Sequence, residues 1–185
     1  LVTQARAVVY SSAIPAAHPE MVAARALGLP LIRRAEALAA AVSGGALVGI
    51  AGTHGKTTTT VMTTEALAAA GVDPTGVVGG RVGTWGGNLR LGTLHATDAA
   101  SVAGASQPTT QVPTYVVEAD EYDRSFLALT PTVAVVLNVE ADHLDIYADL
   151  ADIERAFEQF LAPARAVVRC ADDLGALALR IPSGP

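Results

Sequence analysis

Cysteine is almost absent. Cys170 stands alone in 185 residues, so no intramolecular disulfide can staple the chain, and a reducing compartment, the cytoplasm, is the expected setting. In the apolar run ARAVVRC that thiol reads as a small buried hydrophobe. Basic charge is scarce as well. Twelve Lys and Arg stand against 18 Asp and Glu, for a net charge of -6 with no basic cluster, which argues against a nucleic-acid partner. Long apolar runs are also missing. The most apolar window, ALAAAVSGGALVGIAG, is broken by Ser43 and several glycines, so neither a signal peptide, a membrane span nor a membrane partner is expected. Aromatics make up only 4%, yet hydrophobic residues reach 51%. A core built mainly from Ala, Val and Leu is therefore within reach, in one domain or two small ones. The first residue is Leu1, part-way into an alternating pattern. The chain is read as a piece of something longer, monomeric or homodimeric.

What is present alternates. Short β-branched runs take turns with Ala/Leu-rich segments of helical spacing, the signature of βαβ units and a mostly parallel sheet with flanking helices. A strand at RAVVYSS leads to a helix over 19–27, with Pro19 at a first helical position and Gly28 as a stop. PLIR is a short strand, followed by a helix from about Arg34 to Val42. The punctuation SGG at 43–45 is taken as a domain boundary, giving segments 1–42 and 43–185. Beyond it ALVGIA reads as a buried strand, KTTTTVMTTEALAAAG as a helix and GVVGG as the end of a short strand. TYVVEA and TVAVVLNV are continuous apolar runs of the kind parallel strands show. A helix is expected at 150–161, and ARAVVRC begins a last strand and helix. Residues 92–113, rich in Ala, Ser, Thr and Gln, read as a surface excursion.

Three constellations carry chemistry, each after a strand. The first is GIAGTHGKTTTT. A phosphate loop needs backbone N–H groups aimed at an anion, a helix N-terminus behind them and a lysine to neutralise charge. The common spacing puts four residues between its glycines, whereas here Gly52, Thr53, His54, Gly55, Lys56, Thr57 and Thr58 form a loop two residues shorter. Its logic survives: Lys56 is expected on the β/γ-phosphates of ATP and the Thr57 hydroxyl on Mg²⁺. The second is VVEADEYDRSF. Glu118 at the strand end faces the edge where ligands of parallel sheets gather and suits a metal, whereas Asp120, Glu121 and Asp123 read as a solvated acidic turn. The third is NVEADHLDIY, in which His143 is a packing or cap residue on spacing alone. Lys-Thr, Glu and His on one edge raise the case for a shared site.

In that order, GTHGKTTTT, EADEYDRSFL and NVEADHLDIY resemble the Mur ligase family, whose own loop is the shortened GTxGKT. The N-terminal VVYSSAIPAAHPEMVAARALGLPLIRRAEAL is similar to the end of that family's first, Rossmann-like domain, which binds the UDP-sugar. The resemblance implies a P-loop-type central domain over 43–185, incomplete at its end. It implies catalytic roles for Lys56, Glu118 and His143, and Thr57, Glu118 and His143 at magnesium. Ser11 and Ser12 fall near the UDP-sugar, and Asn88, in WGGNLRLG, on a substrate-side loop; a plain Gly-rich turn around Trp85 and Asn88 is the alternative. ATP-driven joining of L-alanine to the lactyl carboxylate of UDP-N-acetylmuramate is the implied reaction. Other readings are the murein-tripeptide recycling branch, for which a longer and more aromatic insert than RSFLALTP is expected, a small-molecule kinase or switch NTPase, and a nucleotide-binding module without catalysis. The family's adenine-contacting His-Asn segment and third domain have no counterpart here, so the polypeptide by itself is expected not to ligate.

Overall fold

The computed structural model describes residues 2–93 and 112–181. Parallel pairing organises them. Strands β1 (Val8–Tyr10) and β2 (Leu31–Arg33) pair with each other, with helices α1 (Pro19–Ala26) and α2 (Arg34–Val42) following them. A six-stranded sheet holds the rest, in the order β5-β4-β6-β3-β7-β8. Its strands are β3 (Ala46–Ala51), β4 (Thr75–Val82), β5 (Gly87–Arg90), β6 (Thr114–Glu118), β7 (Val133–Val136) and β8 (Ala166–Arg169). The helices α3 (Lys56–Ala69), α4 (Leu150–Leu161) and α5 (Leu174–Ala178) connect or flank them. Every pairing is parallel except β4 with β5. No helix is long and apolar enough to cross a membrane among the described residues.

Two expectations are corrected. WGGNLRLG is a short 3-10 turn and a strand, where a loop or a plain Gly-rich turn was expected. A 3-10 turn at Gly83–Trp85 leads into the antiparallel edge strand β5, and β4 runs on to Val82 to meet it. That partner lies beyond what local propensity encodes. TVAVVLNV keeps strand geometry only to Val136, although the Leu137 N–H still reaches Ala51 O at 3.0 Å. The described part of the 92–113 excursion is its two feet; 94–111 lie outside the described residues.

Helix α4 shows how the core closes. Asp149 caps it, accepting from the Asp152 N–H at 2.7 Å. Ile153, Ala156, Phe157, Phe160 and Leu161 then fall on one face, and all are buried. Phe126 stacks on Phe160 and meets Phe157 edge-on, with ring centroids 5.1 and 5.3 Å apart.

Helix α3 is polar at its centre. Thr60 and Thr64 are fully buried; the Thr64 hydroxyl bonds back to Thr60 O at 2.7 Å, whereas Thr60 Oγ1 has no partner among the described residues. Valine has the same shape without the orphaned hydroxyl. Thr60→Val is expected to stabilise the fold by about 1 kcal/mol, read as a higher urea midpoint; a lower midpoint would show that the hydroxyl has a partner.

Asp73 (φ 51°) fastens the end of the β4–β5 hairpin. Its carboxylate accepts from the Thr93 N–H and hydroxyl at 2.9 and 2.8 Å and pairs with Arg90 at 2.9 Å. The Thr93 hydrogen bonds, with Arg90 after them, lower its pKa from 3.8 to about 2. A carboxylate depressed by folding stabilises above its unfolded pKa. This anchor is therefore fully present above about pH 4 and lost as pH falls toward about 2. Protection of the Thr93 amide from hydrogen exchange should fall across that window, and Asp73→Asn should flatten the dependence.

Candidate functional site

The carboxyl ends of β3, β6 and β7 lie side by side, because β3 pairs with both β6 and β7 in parallel. From β3 the chain turns through Gly52 (φ 141°) and Gly55 (φ 82°) into α3, conformations that favour glycine. Lys56 is the first helical residue, and Gly55 caps the helix without a side-chain bond. The early amides of α3 have no acceptor one turn back, so they remain available to an anion.

Lys56 is largely buried and satisfied three ways. Its ammonium donates to Gly52 O at 2.8 Å, Thr53 O at 3.2 Å and Glu121 Oε1 at 2.9 Å. Glu121 Oε2 also lies 2.9 Å from Nζ, as an ionic contact without a hydrogen bond. The side chains are 12% and 3% exposed. This overturns the reading of the acidic turn at its centre: Glu121 is a buried counter-ion, while Asp120 remains exposed and Asp123 half-buried. Lys56, 65 residues earlier, compensates its charge. Phe126, buried five positions on, and Ala119, buried two before, were the signals that the turn is pulled inward.

The turn is built to hold that carboxylate. Tyr147, fully buried, donates its hydroxyl to Glu121 O at 2.6 Å, and burial, as the main cause, pushes the phenol up to about 12. Asp123 and Arg124 both take left-handed backbone conformations. Asp123 accepts from the Ser125 N–H and hydroxyl, while Arg124 lies 4.6 Å above the Tyr147 ring and pairs with Asp152 at 2.5 Å. The Ala148 N–H, followed by Arg124, holds the Asp152 carboxyl below its ordinary range.

Glu118 and Thr57 come together. The Thr57 hydroxyl lies 2.9 and 3.0 Å from the two Glu118 oxygens, and the Gly79 N–H donates to Oε2 at 2.6 Å. His143 (φ 54°) goes elsewhere. Its Nε2 is 3.9 Å from Glu121 Oε1, and its ring meets Tyr122 edge-on at 5.0 Å. Among the described residues no three His, Cys, Asp or Glu side chains form a metal cluster. The pair Thr57–Glu118 still offers hard oxygen donors of the kind magnesium takes when phosphate oxygens and water complete its shell. Thr58 is exposed in the first turn of α3, and His54 is exposed with Nε2 3.9 Å from Glu140.

Two cavities adjoin this edge. One, of about 400 Å³, is bounded by Arg34, Val77, Asn88, Glu118, Asp120 and Ser125, so Asn88 shares a space with Glu118 from its edge strand. The other, of about 260 Å³, brings Ser12 together with Arg33, Arg34, Asp123 and Arg124. Ser11 is half-buried, its hydroxyl accepting from the Ala13 N–H at 3.3 Å. Sequence reasoning also missed Asn138, whose only signal was a polar residue ending the apolar run of β7. Its side-chain amide holds His54 from both sides, accepting from the N–H at 2.7 Å and donating to the carbonyl at 3.2 Å.

Fold and loop define an α/β protein of the strand–phosphate loop–helix class. Residues 50–180 match the Mur ligase middle domain, and residues 1–45 match the Mur ligase family, catalytic domain. The chain belongs to the Mur ligase family. It is 49% identical over 171 residues to the UDP-N-acetylmuramate–L-alanine ligase of Salinispora arenicola (strain CNS-205), covering 91% of this chain and 30% of that protein. The ligase of the same name from Arthrobacter sp. (strain FB24) is 48% identical over 178 residues, 95% of this chain and 34% of its own length. Among solved structures, the UDP-N-acetylmuramate-alanine ligase of Thermotoga maritima superposes with a TM-score of 0.77 at 26% identity, over 94% of this chain and 37% of that one. The UDP-N-acetylmuramate:L-alanyl-γ-D-glutamyl-meso-diaminopimelate ligase of Neisseria meningitides gives 0.72 at 32% identity, over 90% and 53%. The chain thus spans about a third of the length of the curated relatives it matches.

Proposed function

We propose that residues 43–185 form the ATP-binding core of a cytoplasmic ligase that joins L-alanine to UDP-N-acetylmuramate in peptidoglycan precursor synthesis, and that residues 1–42 end its UDP-sugar domain. The observation that carries the reading is the pairing of Lys56 with Glu121 and of Thr57 with Glu118 on one sheet edge, where anionic ligands of parallel sheets collect. The relatives' names supply the substrates.

The reaction needs a carboxylate made electrophilic. The lactyl carboxylate oxygen attacks the γ-phosphorus and ADP leaves. The amine of L-alanine then attacks the acyl carbon, losing a proton as phosphate departs. The α3 amides and Lys56 hold the phosphate chain and offset its charge, with Lys56 exchanging Glu121 Oε1 for phosphate oxygen. Thr57 and Glu118 would hold Mg²⁺, which when bound neutralises phosphate charge. Glu118 faces the larger cavity, so the carboxylate-bearing end of the sugar nucleotide is placed there, near Asn88 and Arg34. Ser12 and three arginines line the neighbouring cavity and suit the diphosphate. His143 is assigned to the metal side through a move away from Glu121.

ADP release by the full-length chain with ATP, Mg²⁺ and UDP-N-acetylmuramate tests the reading. Release that requires L-alanine is the expected result. Release with the murein tripeptide alone would move the protein to the function named for the Neisseria structure, and none with either would leave a nucleotide-binding module.

A further inference from the structure

A loop two residues shorter than the common spacing has less chain with which to fix its own curvature. Here the neighbouring strand end does it. Asn138 Oδ1 accepts from the His54 N–H at 2.7 Å, its Nδ2 donates to His54 O at 3.2 Å, and its backbone carbonyl accepts from the Thr53 N–H at 3.1 Å. Two residues further, the Glu140 N–H donates to Thr53 Oγ1 at 3.0 Å. Packing is equally close. A Cβ on Gly52 would lie 3.0 Å from Leu137 Cβ and 3.1 Å from Asn138 N, so the loop lies flush against this strap.

These bonds have a consequence for ligand binding. The amides of Thr53 and His54 are already donated to Asn138, which removes them from any anion. The amides of Gly55, Lys56, Thr57 and Thr58 follow in the αL-to-helix turn, and the geometry of a first helical turn leaves them without acceptors. We propose that Asn138 is a positioning residue for the nucleotide: it pins the short loop so that phosphate is bound by the amides from Gly55 to Thr58, with Thr53 and His54 as its fixed rim. This rests on the nucleotide-binding reading above.

The test uses the full chain as wild type, Asn138→Ala and Asn138→Asp. Calorimetry with ADP and Mg²⁺ gives Kd, steady-state turnover gives KM for ATP and for the sugar nucleotide, and thermal melting reports the fold. Losing two hydrogen bonds that shape the loop should weaken ADP binding and raise KM for ATP by about tenfold or more. KM for the sugar nucleotide should stay within about twofold. Aspartate keeps the acceptor for the His54 N–H, loses the donor and adds negative charge, so it should be no better than alanine. In ¹⁵N spectra of wild type, ADP should move the Gly55–Thr58 amides most. The inference is overturned by unchanged ADP affinity in Asn138→Ala, by both KM values rising together with a lowered melting temperature, or by the largest shifts at Thr53 and His54. Failure of wild type to bind ADP would instead overturn the nucleotide reading, and the inference with it.

Discussion

Lys56→Ala is expected to lower nucleotide-dependent turnover about 10²–10³-fold, the size of effect seen when one preorganised donor to a developing anion is removed. The lysine is the only cation the loop contributes, and its ammonium sits where the carbonyls of Gly52 and Thr53 converge. The loss should appear in kcat, because charge builds up as the γ-phosphoryl group moves. The fold should suffer too, since Glu121 would then be a buried carboxylate without its cation. Turnover and melting measured on the same preparation separate the two. Turnover within tenfold of wild type would show that Lys56 does not contact the transferred group.

Glu121→Ala addresses the other half of the pair. Removing one partner of a buried ion pair costs about 3–5 kcal/mol, mostly from the charge left behind. Lys56 keeps two carbonyl acceptors, so the lower end, about 3 kcal/mol, is expected from urea unfolding. Glu121→Gln retains the shape and an acceptor and should fall between. A change below about 1 kcal/mol for alanine would mean that the ammonium finds water at no cost. Removal of Glu121 also frees Lys56 and takes away the carboxylate facing His143, so affinity for ADP can rise while stability falls.

What was legible in the sequence was what local chemistry writes. Pro19, Gly28 and the period of Ile153, Ala156, Phe157 and Phe160 mark helices whatever surrounds them. The apolar runs at 46–51 and 114–118 mark buried parallel strands. Lys56-Thr57 and Glu118 were found because each follows such a strand directly. What was missed depends on partners far along the chain. β5 is a strand only because β4 extends to receive it. Glu121 is buried only because Lys56 meets it, and Asn138 matters only because a loop 84 residues away is short. An acidic turn and a lone asparagine look the same in sequence whether solvated or engaged.

The anchoring around Thr75 bears on how this chain can be rebuilt. Gly92 donates its N–H to Thr75 Oγ1 at 3.0 Å, and Thr75 is also the register partner of Tyr115 in β6. Departure and return of the 94–111 stretch are thus tied to a single residue of β4, with Asp73 holding one foot and the Ala46 N–H bonded to Pro113 O holding the other at 2.8 Å. Both feet thus lie at the amino-terminal ends of β4 and β6, away from the carboxyl edge of the sheet. A fluorescent reporter or affinity tag spliced between these feet would join the framework beside Thr75 and Tyr115, at the opposite end of β4 and β6 from Lys56 and Glu118.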